Sequence, residues 1–321
     1  MIFLISIAMA AAATAALSSA PVETFVEAAG PLGPLKGTML SPSPFKGPVM
    51  LVIPGSGPTD RDGNNPLGVK AATYKLLAEG LAEQGITTIR IDKRGMFASA
   101  GAVKDGNSVT IPDYADDVRS WIQSALKSTG ASCIWLLGHS EGALVALAAV
   151  GDSKDVCGLV LVSAPGRPVG QALREQLRAN PANAPILDQA LAAIAQLEAG
   201  KPADTGGLHP GLMPLFAPQI QKYMISLLSY DPAELLRRYG KRVLIVHGQR
   251  DIQVSEKDAR RLEQASGKAR LVLIPHANHV LKTVSSDDRT ANVATYSDPS
   301  LPLAPGVVQA IADFVAKPHG G

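Results

Sequence analysis

Aromatic residues are scarce, 4% of the 321 residues, so broad stacking platforms for sugars or bases are not expected. An excess of one charge is missing too. The 30 Lys and Arg nearly balance the 28 Asp and Glu, for a net charge of +2. No basic run marks a nucleic-acid or anionic membrane surface, and nucleic acid is not an expected partner. Cysteine occurs twice and histidine six times. Neither residue shows C-x-x-C or H-E-x-x-H spacing, so no metal and no cofactor is expected. Beyond the N-terminal leader no apolar run could cross a bilayer, and no internal repeat is present.

What is present begins with that leader. Residues 1–20 carry no charged side chain. They form an Ala-rich apolar run ending in Ser18-Ser19-Ala20, the small residues of a cleavage site. A signal peptide over 1–20 is the expectation, with a periplasmic or secreted location and no stable membrane insertion once it is removed. A retained leader acting as an anchor is the alternative. Cys133 and Cys157 each stand at the start of an expected strand. If the two strands are neighbours, a disulfide is within reach; otherwise both are small buried apolar residues.

The remaining length suffices for a full core. Short apolar runs at Val49–Ile53, Ile86–Ile91, Cys133–Leu137, Gly158–Val162, Arg242–Val246 and Arg270–Ile274 read as strands buried on both faces. An edge strand is expected near Leu35–Leu40. Helical patterns alternate with the strands, at Thr73–Gln84 and Pro112–Lys127 among others. That alternation predicts an α/β fold with a mostly parallel sheet. One connection, from about residue 163 to 241, is far too long for a simple crossover. It contains amphipathic patterns at Val169–Ala179, Pro185–Ala199 and Pro218–Ser229. The expected organisation is therefore a core of 21–164 and 240–321 with a helical cap inserted at 165–239.

Gly138-His139-Ser140-Glu141-Gly142 follows one of the apolar runs and opens an Ala-rich helix. G-x-S-x-G in that setting predicts a sharp strand-to-helix turn that presents a serine nucleophile. A serine hydroxyl needs a base. His279, in the loop after the last clear strand, is favoured over His276, and His139 is expected to point away. The imidazole needs an acid, and Asp251 follows the strand at Arg242–Val246. The order Ser140, Asp251, His279 differs from the chymotrypsin and subtilisin orders. An oxyanion would need two backbone N–H donors. Glu141, after the nucleophile, is one candidate; Ser56, between Gly55 and Gly57, is the other. The same loop lacks the third glycine of a dinucleotide site.

With Gly55–Gly63 reading G-S-G-P-T-D-R-D-G and Asp92-Lys93-Arg94-Gly95 reading D-K-R-G, the chain resembles the α/β-hydrolase superfamily, and within it bacterial carboxylesterases of the serine aminopeptidase-like group. The resemblance covers residues of about 35 to 315. It implies Ser140 as nucleophile, Asp251 as acid, His279 as base, and Ser56 with Glu141 as oxyanion donors. Two departures stand out: Pro54-Gly55 replaces the usual His-Gly, and the D-K-R-G turn is followed by Met96-Phe97-Ala98-Ser99, without the second glycine usual in such turns. Phe97 is expected either in the pocket or packed under the cap. Asp60-Arg61-Asp62 and Lys93-Arg94 are expected to form an ion-pair network between loops, with Arg61 as an alternative substrate contact.

The expected activity is hydrolysis of small carboxylic esters through an acyl-enzyme. Leu212, Met213, Leu215, Phe216 and Met224 would line the acyl pocket or pack cap on core. An aminopeptidase using a cap carboxylate (Glu175, Glu198 or Glu234) and a thioesterase are alternatives. A non-catalytic binding protein is disfavoured because no member of the constellation is missing.

Overall fold

In the computed structural model, residues 19–45, 47–151 and 153–317 are described. Among the described residues eight strands are present: β1 (Ser19–Ala28), β2 (Leu35–Ser43), β3 (Val49–Ile53), β4 (Thr87–Ile91), β5 (Ile134–His139), β6 (Val156–Val162), β7 (Val243–Gly248) and β8 (Ala269–Ile274). They form one sheet in the order β1-β2-β4-β3-β5-β6-β7-β8. β1 and β2 run antiparallel to their neighbours, and β4 through β8 pair in parallel. The helices are α1 (Thr73–Glu83), α2 (Ile111–Thr129), α3 (Glu141–Val150), α4 (Val169–Ala179), α5 (Leu187–Glu198), α6 (Met213–Phe216), α7 (Gln221–Leu228), α8 (Pro232–Arg238), α9 (Glu256–Ala265), α10 (Arg289–Ala294) and α11 (Val307–Ala316).

Strand periodicity divides the core between the two faces. On β3, Val49, Leu51 and Ile53 pack with α2 and α3 side chains such as Val118, Trp121 and Leu144. Met50 and Val52 turn the other way, toward Leu77 and Leu81 of α1 and Ile311 and Phe314 of α11. Burial on both faces is why these strands read as continuous apolar runs. Helix α2 starts on a capping box, with Thr110 and Asp113 satisfying each other's backbone, and ends at Gly130 with φ 68°. Its long apolar stripe thus meets the sheet in one register.

β5 and β6 are neighbours, and Cys133 and Cys157 form a disulfide with Cα atoms 5.2 Å apart. The excursion between β6 and β7 holds α4 to α8, with α5 and α7 burying Ile194, Leu197, Met224 and Leu227. The helical pattern expected from Pro218 opens with a tight turn over Pro218–Ile220 before α7, and Pro181–Ile186 likewise precedes α5. Several elements were not expected from the sequence, among them α6, α8, α11, β1 and α10. β1 is exposed along most of its length, with Phe25 87% accessible, so it carries no buried-strand signature. α10 is a six-residue helix. The signal-peptide expectation falls on residues outside the described ones, apart from Ser19 and Ala20, which open β1. Among the described residues, no helix is long and apolar enough to cross a membrane.

Candidate active site

Ser140 sits between β5 and α3 with φ 54° and ψ −122°, a backbone state that an L-residue holds only when its surroundings force it. Here they do. A Cβ on Gly138 would lie 2.4 Å from the Gly142 carbonyl oxygen, and one on Gly142 would lie 2.3 Å from the Ile53 carbonyl oxygen. The two flanking glycines therefore let α3 pack back onto its own strand and onto the end of β3. The Ser140 amide donates to the Val162 carbonyl at 2.9 Å, which ties the turn to β6.

Asp251 and His279 come from the loops after β7 and β8, at the carboxyl edge where ligands bind in parallel sheets. Asp251 Oδ2 holds His279 Nδ1 at 2.8 Å. Its Oδ1 accepts the Gln253 and Val254 amides at 2.8 and 2.9 Å. Burial alone would raise this carboxyl, but the imidazole and the two amides outweigh it, and Asp251 lies below the usual carboxylate range. The two loops meet closely: a Cβ on Gly248 would lie 2.2 Å from the Ala277 carbonyl oxygen. Asn278 locks the histidine loop. Its side-chain oxygen accepts the Lys282 amide at 3.0 Å, and its nitrogen donates to Asn292 and Thr295 at 3.0 and 2.7 Å. His276, the rival base, has φ 62° and is exposed. It lines neither of the cavities at Ser140 described below.

His139 was expected to point away from the nucleophile, but its ring stands 4.8 Å from that of His279 and lines the small cavity with Ser140. Its Nε2 lies 2.8 Å from the His279 carbonyl oxygen, which can only accept, so Nε2 carries the proton. Nδ1 then accepts from the Tyr74 hydroxyl at 2.9 Å, and that hydroxyl accepts the Gly55 amide at 2.9 Å. A buried chain thus links the Gly55 loop to the backbone of the histidine loop. Burial and the neighbouring His279 push His139 down to about 3, so it stays neutral.

Lys93 completes the arrangement. Its buried ammonium donates to the Gly55 carbonyl at 2.7 Å. That carbonyl shares a trans peptide with the Ser56 amide, so the Ser56 N–H points away from Lys93. Glu141, at the N-terminus of α3, accepts from the Tyr223 hydroxyl. As the first residue of α3, its own amide has no acceptor within the helix.

Two cavities meet at Ser140. The larger, about 780 Å³, is walled by apolar side chains that include Leu144, Val169, Leu173, Leu227 and Ile252, with Gln176, Asn180, Asn183 and Arg289 adding polar groups. The smaller, about 150 Å³, holds Ser140 and His279 together with Gly55 and Tyr74. Ser56 lines both. Gly57, at φ 67°, lets the loop turn beside it.

The expected pocket residues fall elsewhere. Phe216 is fully buried, and Met224 is buried in the same cluster. Met213 is half-buried at the start of α6, and Leu212 is buried; none of these four lines either cavity. Their apolar character serves packing among the excursion helices. Phe97 has a left-handed backbone, φ 45°, and is 43% exposed in a surface depression with Phe25 and Arg61. Arg61 grips Asp92 through Nη2 at 2.5 Å and lies in that depression, away from Ser140. The loop charges do pair, but mostly outside their own clusters. Arg94 binds Asp117 of α2 at 2.6 and 2.7 Å, and Arg90 bridges Asp62 and Glu23. Val169, Leu173, Tyr74 and Lys93 were missed as site residues. The amphipathic pattern of 169–179 was the available signal for the first two.

A family profile described as "Alpha/beta hydrolase family" matches residues 49–294. The chain is 26% identical over 243 residues to Esterase EstD of Thermotoga maritima, an alignment covering 73% of this chain and 54% of that protein. It thus spans about half the length of that curated relative. Among solved structures it is similar to Est1E from Butyrivibrio proteoclasticus, at 17% identity and TM-score 0.55, covering 93% of this chain and 100% of that one. A thermophilic esterase from Thermogutta terrifontis matches at 20% identity and TM-score 0.53, covering 91% and 97%. At these identities the solved structures speak to the fold.

Proposed function

Because the chain belongs to the alpha/beta hydrolase family, we propose that it is a serine hydrolase of small carboxylic esters, with Ser140 as nucleophile, His279 as base and Asp251 as acid. One observation carries this reading. Ser140, on a strained turn, and His279, with Nδ1 bound by Asp251 at 2.8 Å, line the same small cavity. His279 takes the Ser140 proton as Oγ attacks the ester carbonyl, then gives it to the leaving alcohol. Water repeats the sequence on the acyl-enzyme. The Ser56 and Glu141 amides are the donors for the oxyanion, and the Lys93 grip on the shared peptide supports the role of Ser56.

An ester suits the site better than a peptide N-terminus. The cap carboxylates that an amine would need are engaged by arginines: Glu175 by Arg167, Glu198 by Arg174 and Glu234 by Arg237. None of the three lines either cavity. The helices between β6 and β7 act as a cap that supplies the large cavity's outer wall. The Cys133–Cys157 disulfide supports an oxidising compartment, hence export through the 1–20 leader to the periplasm or beyond. Fractionation of expressing cells, with N-terminal sequencing of the product, separates a cleaved leader from a retained anchor.

Ser140→Ala is expected to lower turnover of p-nitrophenyl esters by several orders of magnitude with an unchanged thermal midpoint. A serine-directed phosphonate should label the wild type and not this variant. Activity near wild type in Ser140→Ala, or faster cleavage of aminoacyl p-nitroanilides than of esters, would overturn the assignment.

A further inference from the structure

The two cavities differ about fivefold in volume, and that asymmetry gives the substrate a direction. Resting on the reading of Ser140 as nucleophile, we propose that the substrate is an ester of a medium-length apolar acid with a small hydroxylated alcohol. The acyl chain enters the 780 Å³ cavity, and the alcohol leaves through the 150 Å³ cavity.

The argument starts from proton transfer. When the tetrahedral adduct collapses, the bond from the carbonyl carbon to the alcohol oxygen breaks, and that oxygen takes the proton that His279 removed from Ser140. The leaving oxygen must therefore stand within hydrogen-bond reach of the imidazole. His279 lines the smaller cavity and not the larger. With the carbonyl carbon on Oγ and the oxyanion on the backbone donors, the acyl substituent is left to the other side. That side is where Leu144, Val169, Leu173, Leu227 and Ile252 stand. The net reaction balances: ester and water give acid and alcohol, with the Ser140 proton restored.

Size and chemistry agree with this direction. At about 30 Å³ for each water-sized group, the smaller cavity takes about five such groups, enough for a two- or three-carbon alcohol. Its wall carries hydroxyl and amide side chains, among them Thr59, Asn65 and Tyr296, while the hydroxyls of Thr73 and Tyr74 on the same wall are bound to Val280 and His139. Such a wall suits an alcohol carrying a further hydroxyl and offers little to an alkyl chain. The larger cavity lies within the range of ordinary small-molecule sites, and its apolar side chains match an acyl tail.

Reversed esters test this directly. Ethyl hexanoate and hexyl acetate are isomers with the same reacting bond, and both are alkyl esters whose leaving group needs the proton from His279. Measured by acid release, kcat/KM for ethyl hexanoate should exceed that for hexyl acetate by about tenfold or more. 2-Hydroxyethyl hexanoate should be turned over faster than ethyl hexanoate. Leu173→Trp, which fills the large cavity, should lower the ratio of ethyl hexanoate to ethyl acetate turnover by about tenfold. Equal rates for the isomers, a preference for hexyl acetate, a slower hydroxyethyl ester or an unmoved ratio in Leu173→Trp would overturn the direction. If phosphonate still labels Ser140 in those cases, the hydrolase reading survives. If neither isomer is cleaved and Ser140 is not labelled, both readings fall together.

Discussion

Below Ser140 the backbone has no room. A Cβ on Gly142 would meet the Ile53 and Pro54 carbonyl oxygens at 2.3 and 2.7 Å, and one on Gly55 would meet the Ser140 Cβ at 3.3 Å. Above it, α4 lays Val169, Ala172 and Leu173 along an open cavity. Its outer side is tied by ion pairs, Arg174 to Glu198 and Arg167 to Glu175. The lower part is specified by sterics and buried polar contacts, each with one solution. The upper part is specified by an amphipathic stripe and surface charges, which many sequences satisfy. Chemistry needs the first kind of precision, whereas a substrate wall tolerates the second. Gly142→Ala tests this contrast hardest. The added methyl group has only backbone to displace, so a loss of about 3 kcal/mol in urea unfolding is expected, together with most of the proposed esterase activity. Wild-type stability in that variant would mean the turn is less confined than described.

Lys93 sharpens the contrast from the polar side. Burial lowers its pKa, and the charge of Glu141 opposes that shift. Removing such a cation leaves the buried Glu141 charge and the Gly55 carbonyl without this partner. Lys93→Met should therefore lower the thermal midpoint. It also frees the Gly55 carbonyl and loosens the Ser56 amide, so kcat is expected to fall about 10- to 100-fold with KM little changed. A parallel rise in KM, or no change in kcat, would show that the grip on Gly55 does not reach the oxyanion.

The buried chain through Tyr74 and His139 adds a dependence on pH. His139 is held down to about 3, against an ordinary 6.5, by burial and by its neighbour His279. Burial lowers His247 as well. In the unfolded chain both take up a proton near pH 6.5, while the folded protein excludes it. Stability is thus full above that pH and falls as the pH drops from 6.5 toward 4, before Asp251 and Asp258, both lowered, begin to titrate. Urea midpoints measured from pH 7.5 to 4.5 should decline with a slope between about one and two protons, and His139→Asn should lower that slope by about one. A flat wild-type profile would contradict a neutral, buried His139.

Much of this lower region was legible in the sequence because its constraints are local. Gly138 and Gly142 flank Ser140 within five residues, and β3 to β7 are buried on both faces, so they print as apolar runs. The edge strand β8, expected to be buried as well, is only half-buried. The order of Ser140, Asp251 and His279 along the chain could be read for the same reason. The polar contacts could not. Lys93 meets Gly55 across 38 residues, and Tyr74 meets His139 across 65, and no pattern marks such pairs. Periodicity found the excursion helices but not what their faces touch. Phe216 and Met224 looked like pocket residues and are packing residues, while Val169 and Leu173 line the cavity. β1 was missed because an exposed edge strand has no buried face to alternate against.

The smallest effect is expected at the ion pair between α4 and α5. Arg174 makes two bonds of 2.6 Å to the Glu198 carboxylate, a well-formed fork. Its side chain is 23% exposed and that of Glu198 32%, so water screens the pair and its net contribution stays below about 1 kcal/mol. The pair nevertheless lies on the helix whose inner face carries Leu173. Arg174→Ala should shift the thermal midpoint by less than about 2 °C, and kcat for short esters should not change. High salt should shrink the difference further, since screening removes the same attraction the substitution removes. A larger loss, insensitive to salt, would mean that α4 depends on this pair for its position, and the upper region would then be as narrowly specified as the turn beneath it.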